Sequence, residues 1–276
     1  MGFILGFFLM VHLVQQKLVA HFAHQHPEQK TSAPAHVVPD AVKTAKEIAF
    51  KVTDRLTWYV VAGTLVGARL VHVFFYDWPR YQGNLWEIFA IWKGGLASHG
   101  GVLGVFLAVL LFYSKEMKQR CPSISFLGLL DMMVIPSSLV ACCIRIGNFF
   151  NQEIVGPETN LPWAVVFGDP FEATPWVPRH PSQLYEAIAY FALFILLYSI
   201  RNSSLSQRPG YLTGLFFVLL FTFRFFIEFL KLPQSMMIDE SFLQMGQWLS
   251  IPFILAGFWL IYRSFRSPST PYQRET

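Results

Sequence analysis

Seven stretches of this chain are apolar over close to twenty residues each, and no other feature constrains its fold so tightly. They run about 1–22, 56–77, 95–113, 124–144, 183–200, 210–230 and 247–265. A helix of ~20 apolar residues is long enough to cross the ~30 Å hydrocarbon core of a bilayer. Backbone exposed to lipid must satisfy its own hydrogen bonds, so helix is the default for each stretch. Only 14% of the residues are charged, against roughly 25% in soluble domains. The expected fold is therefore all-α, a polytopic integral membrane protein with about seven transmembrane helices. The net charge of +4 is small, and no basic stripe with interleaved aromatics appears, so no nucleic-acid partner is expected. Cys121 stands alone and Cys142 and Cys143 are adjacent in an apolar stretch, which gives neither a disulfide framework nor a metal-ligand spacing. The first run lacks the basic flank and small-residue cleavage site of a cleavable signal peptide.

The connections carry the remaining organisation. Residues 23–55 are polar and read as an exposed loop with a short amphipathic helix near 41–51. Residues 145–182 hold six prolines and the string "TPWVPRHP", and are expected to form a small extracytoplasmic cap. Residues 1–266 then make one transmembrane domain and 267–276 a disordered cytoplasmic tail. No repeat of fixed period is visible. Lys and Arg concentrate in the connections after the first, third and fifth stretches and in the tail, while the opposite connections hold Arg80, Lys93, Arg145, Arg179 and Lys231. The positive-inside rule places the N-terminus outside and the C-terminus in the cytoplasm.

That orientation gives each polar residue a depth. Arg69 and His72 fall in the outer half of the second span, His99 near the outer start of the third, Arg145 at the outer end of the fourth, and Arg224 and Glu228 in the outer half of the sixth. An arginine in hydrocarbon costs roughly 2.5–3.5 kcal/mol or more, yet all these residues gather in one leaflet. Bland readings stay open for several of them. Arg224 and Glu228, four residues apart, can neutralise each other, and Arg69 can snorkel to the headgroups. His99 lies in "GGLASHGGVLG", where glycines serve either close helix packing or close approach of a ligand. Asp131, nearer the middle of its span, has no evident partner in the sequence. A cationic cluster with an imidazole at headgroup depth suits an anionic phospholipid, because arginine forks bind phosphate in bidentate fashion. The rival class, a secondary transporter of an anionic solute, would call for inverted repeats and broken midplane helices.

Five strings in order, "GGLASHGGVLG", "RIGNFFNQEIVG", "RHPSQLYEA", "FRFFIEFLK" and "MGQWLSIP", resemble the signatures of bacterial prolipoprotein diacylglyceryl transferases, over about residues 54–261. The resemblance implies a bacterial inner-membrane enzyme. It would move the sn-1,2-diacylglyceryl group of phosphatidylglycerol to the lipobox cysteine of a prolipoprotein signal peptide, releasing glycerol-1-phosphate. This is the first step of lipoprotein maturation. By position, the resemblance implies catalytic roles for His99, Arg145 and Arg224, and phosphatidylglycerol binding by Arg145, Asn148, Glu153, Gly156, Arg69, Arg224 and Tyr185. His180 would line the rim with Tyr185, and Asn148 and Glu153 would orient the arginines. Either His99 takes the thiol proton or an arginine's field lowers the thiol pKa. The leaving group departs as a stable anion, so neither metal nor cofactor is expected. The chain departs from the family at Ala97-Ser98, before the histidine, where a larger residue is common, and in the longer 23–55 loop. The family's first span also begins earlier and carries a tyrosine, so either the true start lies upstream of Met1 or this span is short.

Overall fold

The computed structural model describes residues 1–25, 37–171, 173–232 and 244–266. The expected tail at 267–276 and part of the 23–55 stretch lie outside the described residues. Among those described, seven helices are long and apolar enough to cross a membrane. They are α1 (Gly2–Gln25), α2 (Val37–Val71), α3 (Ser98–Phe112), α4 (Phe126–Phe150), α5 (Ser182–Ile200), α6 (Tyr211–Ile227) and α7 (Met245–Arg266).

Two boundaries differ from the sequence reading. The amphipathic helix expected near 41–51 is not separate, because α2 runs unbroken for 35 residues. Pro39 lies in its first turn, where proline's missing N–H costs nothing, and no further proline interrupts it. At 1.5 Å per residue α2 is about 52 Å long, well beyond the ~30 Å a bilayer needs. The fourth helix does not stop at residue 144 but continues to Phe150, carrying Arg145 and Asn148 on its last turns.

The chain forms two compact units, Met10–Phe126 and Met1–Leu9 with Leu127–Thr276. In the first, α2 and α3 touch backbone to backbone. A Cβ on Gly67 or Gly104 would strike the carbonyl oxygen of Gly100 or Gly63 across the contact. These glycines serve helix packing, with two pairs at i,i+4 spacing meeting face to face.

In the second unit α6 packs on α7, where Gly214 meets the carbonyl of Gly257. Asp131 gains its explanation here. It is 6% exposed, and its carboxylate accepts from the backbone N–H groups of Gly210 (2.6 Å) and Thr213 (2.8 Å) and from the Thr213 hydroxyl (2.7 Å). A side chain of α4 thus caps the start of α6, satisfying N–H groups that a helix terminus leaves open and facing its positive end. Residues 151–171 and 173–181 lie between α4 and α5 and carry an antiparallel pair, β1 (Val165–Val166) with β2 (Pro178–Arg179).

Candidate active site

Of the polar residues that the sequence placed at headgroup depth, Arg145 stands on the last turns of α4, and it faces the first turns of α5. Arg145 Nε lies 3.0 Å from Glu186 Oε2, and Lys231 Nζ lies 3.0 Å from Glu186 Oε1. The Tyr190 hydroxyl donates to the same Oε1 at 2.9 Å. Glu186 is fully buried, so this carboxylate holds two cations and a phenol away from water. Lys231 also faces Glu228, at 3.7 Å. Glu228 in turn lies against Gly246 in the first turn of α7, where any Cβ would displace its carboxylate.

A second chain of contacts orients Arg145. Its Nη1 donates to Asn148 Oδ1 at 3.2 Å, and Asn148 Nδ2 donates to Glu153 Oε2 at 2.7 Å. The bend that brings Glu153 back onto α4 puts Gln152 and Ile154 at φ of 57° and 56°, a region costly for a β-branched residue. Two side chains from α5 hold it there. Gln183 Nε2 donates to the Glu153 carbonyl at 2.6 Å and Ser182 Oγ to the Ile154 carbonyl at 2.8 Å. Gly156 is buried, and a Cβ there would meet the His180 backbone and the Leu230 carbonyl. Its place is set by packing, and its N–H donates to the His180 carbonyl. Tyr185 accepts from Trp163 Nε1 at 2.8 Å and lies 3.2 Å from His180 Nδ1.

Counting N–H groups separates the three arginines. A guanidinium carries five. Arg145 pairs through Nε with Glu186 as an ion pair and makes one hydrogen bond, to Asn148, so most of its N–H groups have no hydrogen-bond acceptor among the described residues. Arg224 is half-buried and makes no hydrogen bond or ion pair among the described residues; the neutralisation by Glu228 left open in the sequence does not occur, because Glu228 faces Lys231. Both Arg145 and Arg224 are near enough for their charge to act on Tyr190. Arg69 is the opposite case. It is 5% exposed, and all five N–H groups go to backbone carbonyls: Nε to Ile88, Nη1 to Gly94 and Gly95, Nη2 to Glu87 and Ala90. It has no donor left for a phosphate, so the expected place in the anion site is not what its surroundings support.

His99 is exposed in the first turn of α3, in the other unit, with no hydrogen bond among the described residues. His72 lies 4.0 Å from Asp77. Between α5 and α6, a groove of about 310 Å³ is lined by Tyr190, Leu193, Leu196, Leu219 and Phe223 among others. It starts beside Tyr190 and runs to Leu196, about 9 Å along α5 at 1.5 Å per residue. Glu186 and Lys231 were not singled out in the sequence, although both stand inside quoted strings. An acid in the first turns of an apolar span that starts in the leaflet of Arg145 was the available signal.

Residues 1–263 match the family described as Prolipoprotein diacylglyceryl transferase. The chain belongs to that family. Proteins named phosphatidylglycerol–prolipoprotein diacylglyceryl transferase are similar to it. The one from Protochlamydia amoebophila is 50% identical over 81% of this chain and 60% of its own length. Those from Tolumonas auensis and Porphyromonas gingivalis are 46% and 43% identical, over 76% and 79% of this chain and 78% and 79% of their own lengths. The chain thus spans less than two thirds of the Protochlamydia relative. With seven helices fit to cross a bilayer, this member of the diacylglyceryl transferase family is a multi-pass membrane protein.

Proposed function

We infer that the chain transfers the sn-1,2-diacylglyceryl group of phosphatidylglycerol to the lipobox cysteine thiol of prolipoproteins, in a bacterial inner membrane with its C-terminus cytoplasmic. The observation that carries this reading is the pair Arg145 and Arg224, half-buried near Tyr190 with N–H groups unspent. A half-buried arginine without a full set of acceptors is costly. A lipid phosphate at headgroup depth supplies the missing oxygens.

The thiolate sulfur attacks the glyceryl carbon that bears the phosphate ester. The carbon–oxygen bond breaks, and its electron pair leaves with glycerol-1-phosphate. Negative charge on the phosphate grows as this happens, so donors already aimed at it stabilise the transition state more than the bound lipid. Glu186, with Lys231 and Tyr190, fixes Arg145, and the Asn148–Glu153 link fixes its other edge. The groove between α5 and α6 suits an acyl chain whose headgroup meets Tyr190. Tyr185 and His180 flank the cap side. His99 takes the thiol proton, since a thiol of pKa ≈ 8.5 is mostly protonated at neutral pH.

Purified protein, phosphatidylglycerol vesicles and a lipobox peptide with one cysteine test the reading by mass spectrometry. The peptide is expected to gain one diacylglyceryl mass as glycerol phosphate appears, while a Cys→Ser peptide stays unmodified. Release of glycerol phosphate without peptide modification would overturn it.

A further inference from the structure

The reaction above gives Arg69 no task, yet its environment is built with care. The loop from His72 to Ala97 turns most of its large apolar side chains outward: Trp86 and Trp92 are each 80% exposed and Phe89 is 69% exposed. Such a loop has little core of its own. What lies inside it is the Arg69 guanidinium, over the ring of the buried Tyr81 at 5.2 Å, with its five bonds to the carbonyls of residues 87–95. Gly94 and Gly95 take φ of 82° and 78° to present their carbonyls, and a Cβ on Gly95 would strike His72 and Arg69 Nη1. Two residues later Ala97 N donates to the Ala68 carbonyl at 3.0 Å. α3 then begins, with Gly100 set against the Gly67 carbonyl and His99 in its first turn.

We propose that Arg69 is the positioning residue of His99: it clamps the 87–95 loop, and the clamped loop fixes the start of α3 that carries the imidazole. The proposal rests on His99 acting on the acceptor thiol. A lysine keeps the charge at this position but cannot fork to five carbonyls, so the loop would loosen while the local charge stayed.

The test is a two-residue cycle on the full chain with phosphatidylglycerol vesicles and the cysteine peptide. Arg69→Lys, His99→Asn and the double variant are each assayed for kcat and for KM toward phosphatidylglycerol. Arg69→Lys should lower kcat on the order of 10²-fold, the scale of a misplacement near 1 Å, with KM unchanged. In the His99→Asn background the same change should cost about twofold or less, because coupled residues do not add. Equal losses in both backgrounds would overturn the proposal and leave the His99 role standing. A raised KM with unchanged kcat would overturn it in favour of direct headgroup contact. Full activity of His99→Asn would instead remove the role on which it rests. If Arg69→Lys fails to fold, as judged by its melting in detergent, Gly95→Ala loosens the same clamp from its other side and is read in the same cycle with the same outcomes.

Discussion

Arg224 has no protein acceptor among the described residues, whereas Glu186 has three donors around it, and this contrast separates binding from holding. Replacing Arg224 with alanine removes no protein contact of that kind, so melting should shift by only ~0.5 kcal/mol or less. The transfer rate should fall by roughly 10²–10³, the loss typical when one charge-stabilising donor is deleted. Differential scanning and the peptide assay on one preparation check both. Glu186→Ala should behave the other way, losing about 3–5 kcal/mol of stability because Lys231 is left buried, and Arg145 half-buried, without their shared carboxylate. A Glu186→Ala protein that melts like wild type would show that the cluster is not a structural unit. The sequence displayed Arg145 and Arg224 because a charge inside an apolar run is conspicuous. It did not display Glu186, since the same acid in the first turns of a helix also reads as an ordinary end residue. Nor did it reveal that Arg69 is saturated, because backbone carbonyls 18 to 26 residues away leave no mark in composition.

Element boundaries were legible where hydropathy alone sets them, and all seven apolar stretches became helices. They were misread where a tertiary partner extends the helix. Arg145 and Asn148 look like loop residues until the ion pair of Arg145 with Glu186 and the hydrogen bond of Asn148 to Glu153 are seen, and α4 continues to Phe150. Asp131 was opaque for the same reason, its partners being about eighty positions downstream. Replacing Asp131 by alanine uncaps α6, and thermal unfolding should show a loss of about 1–2 kcal/mol, with the transfer rate unchanged below the transition. A strong drop in rate at low temperature would place Asp131 in the chemistry instead. The bend at Gln152–Ile154 makes a complementary case. Ile154→Gly relieves an unfavourable backbone at the cost of the chain entropy glycine adds. Gln183→Ala removes one of the bonds that hold the bend and should destabilise, with Glu153 released from Asn148.

At the scale of the molecule, the charge bias of the connections predicts that a reporter fused after Arg266 stays on the cytoplasmic side, and that a cysteine introduced at Trp163 in the cap reacts with a membrane-impermeant reagent added from outside. Labelling of the Trp163 position only after the membrane is opened would invert the topology. Within the unit Met10–Phe126, α2 and α3 meet at glycine backbones along part of their contact, with the Cβ atoms of Ala108 and Val71 close beside them. Side chains between helices act as a compliant layer whose rotamers absorb small displacements; where Gly63 meets Gly104 and Gly67 meets Gly100 that layer is thin. The two helices are therefore mechanically one strut. Relative motion of α2 and α3 is thereby limited to bending away from these contacts, because a slide of one helix along the other would drive backbone into backbone.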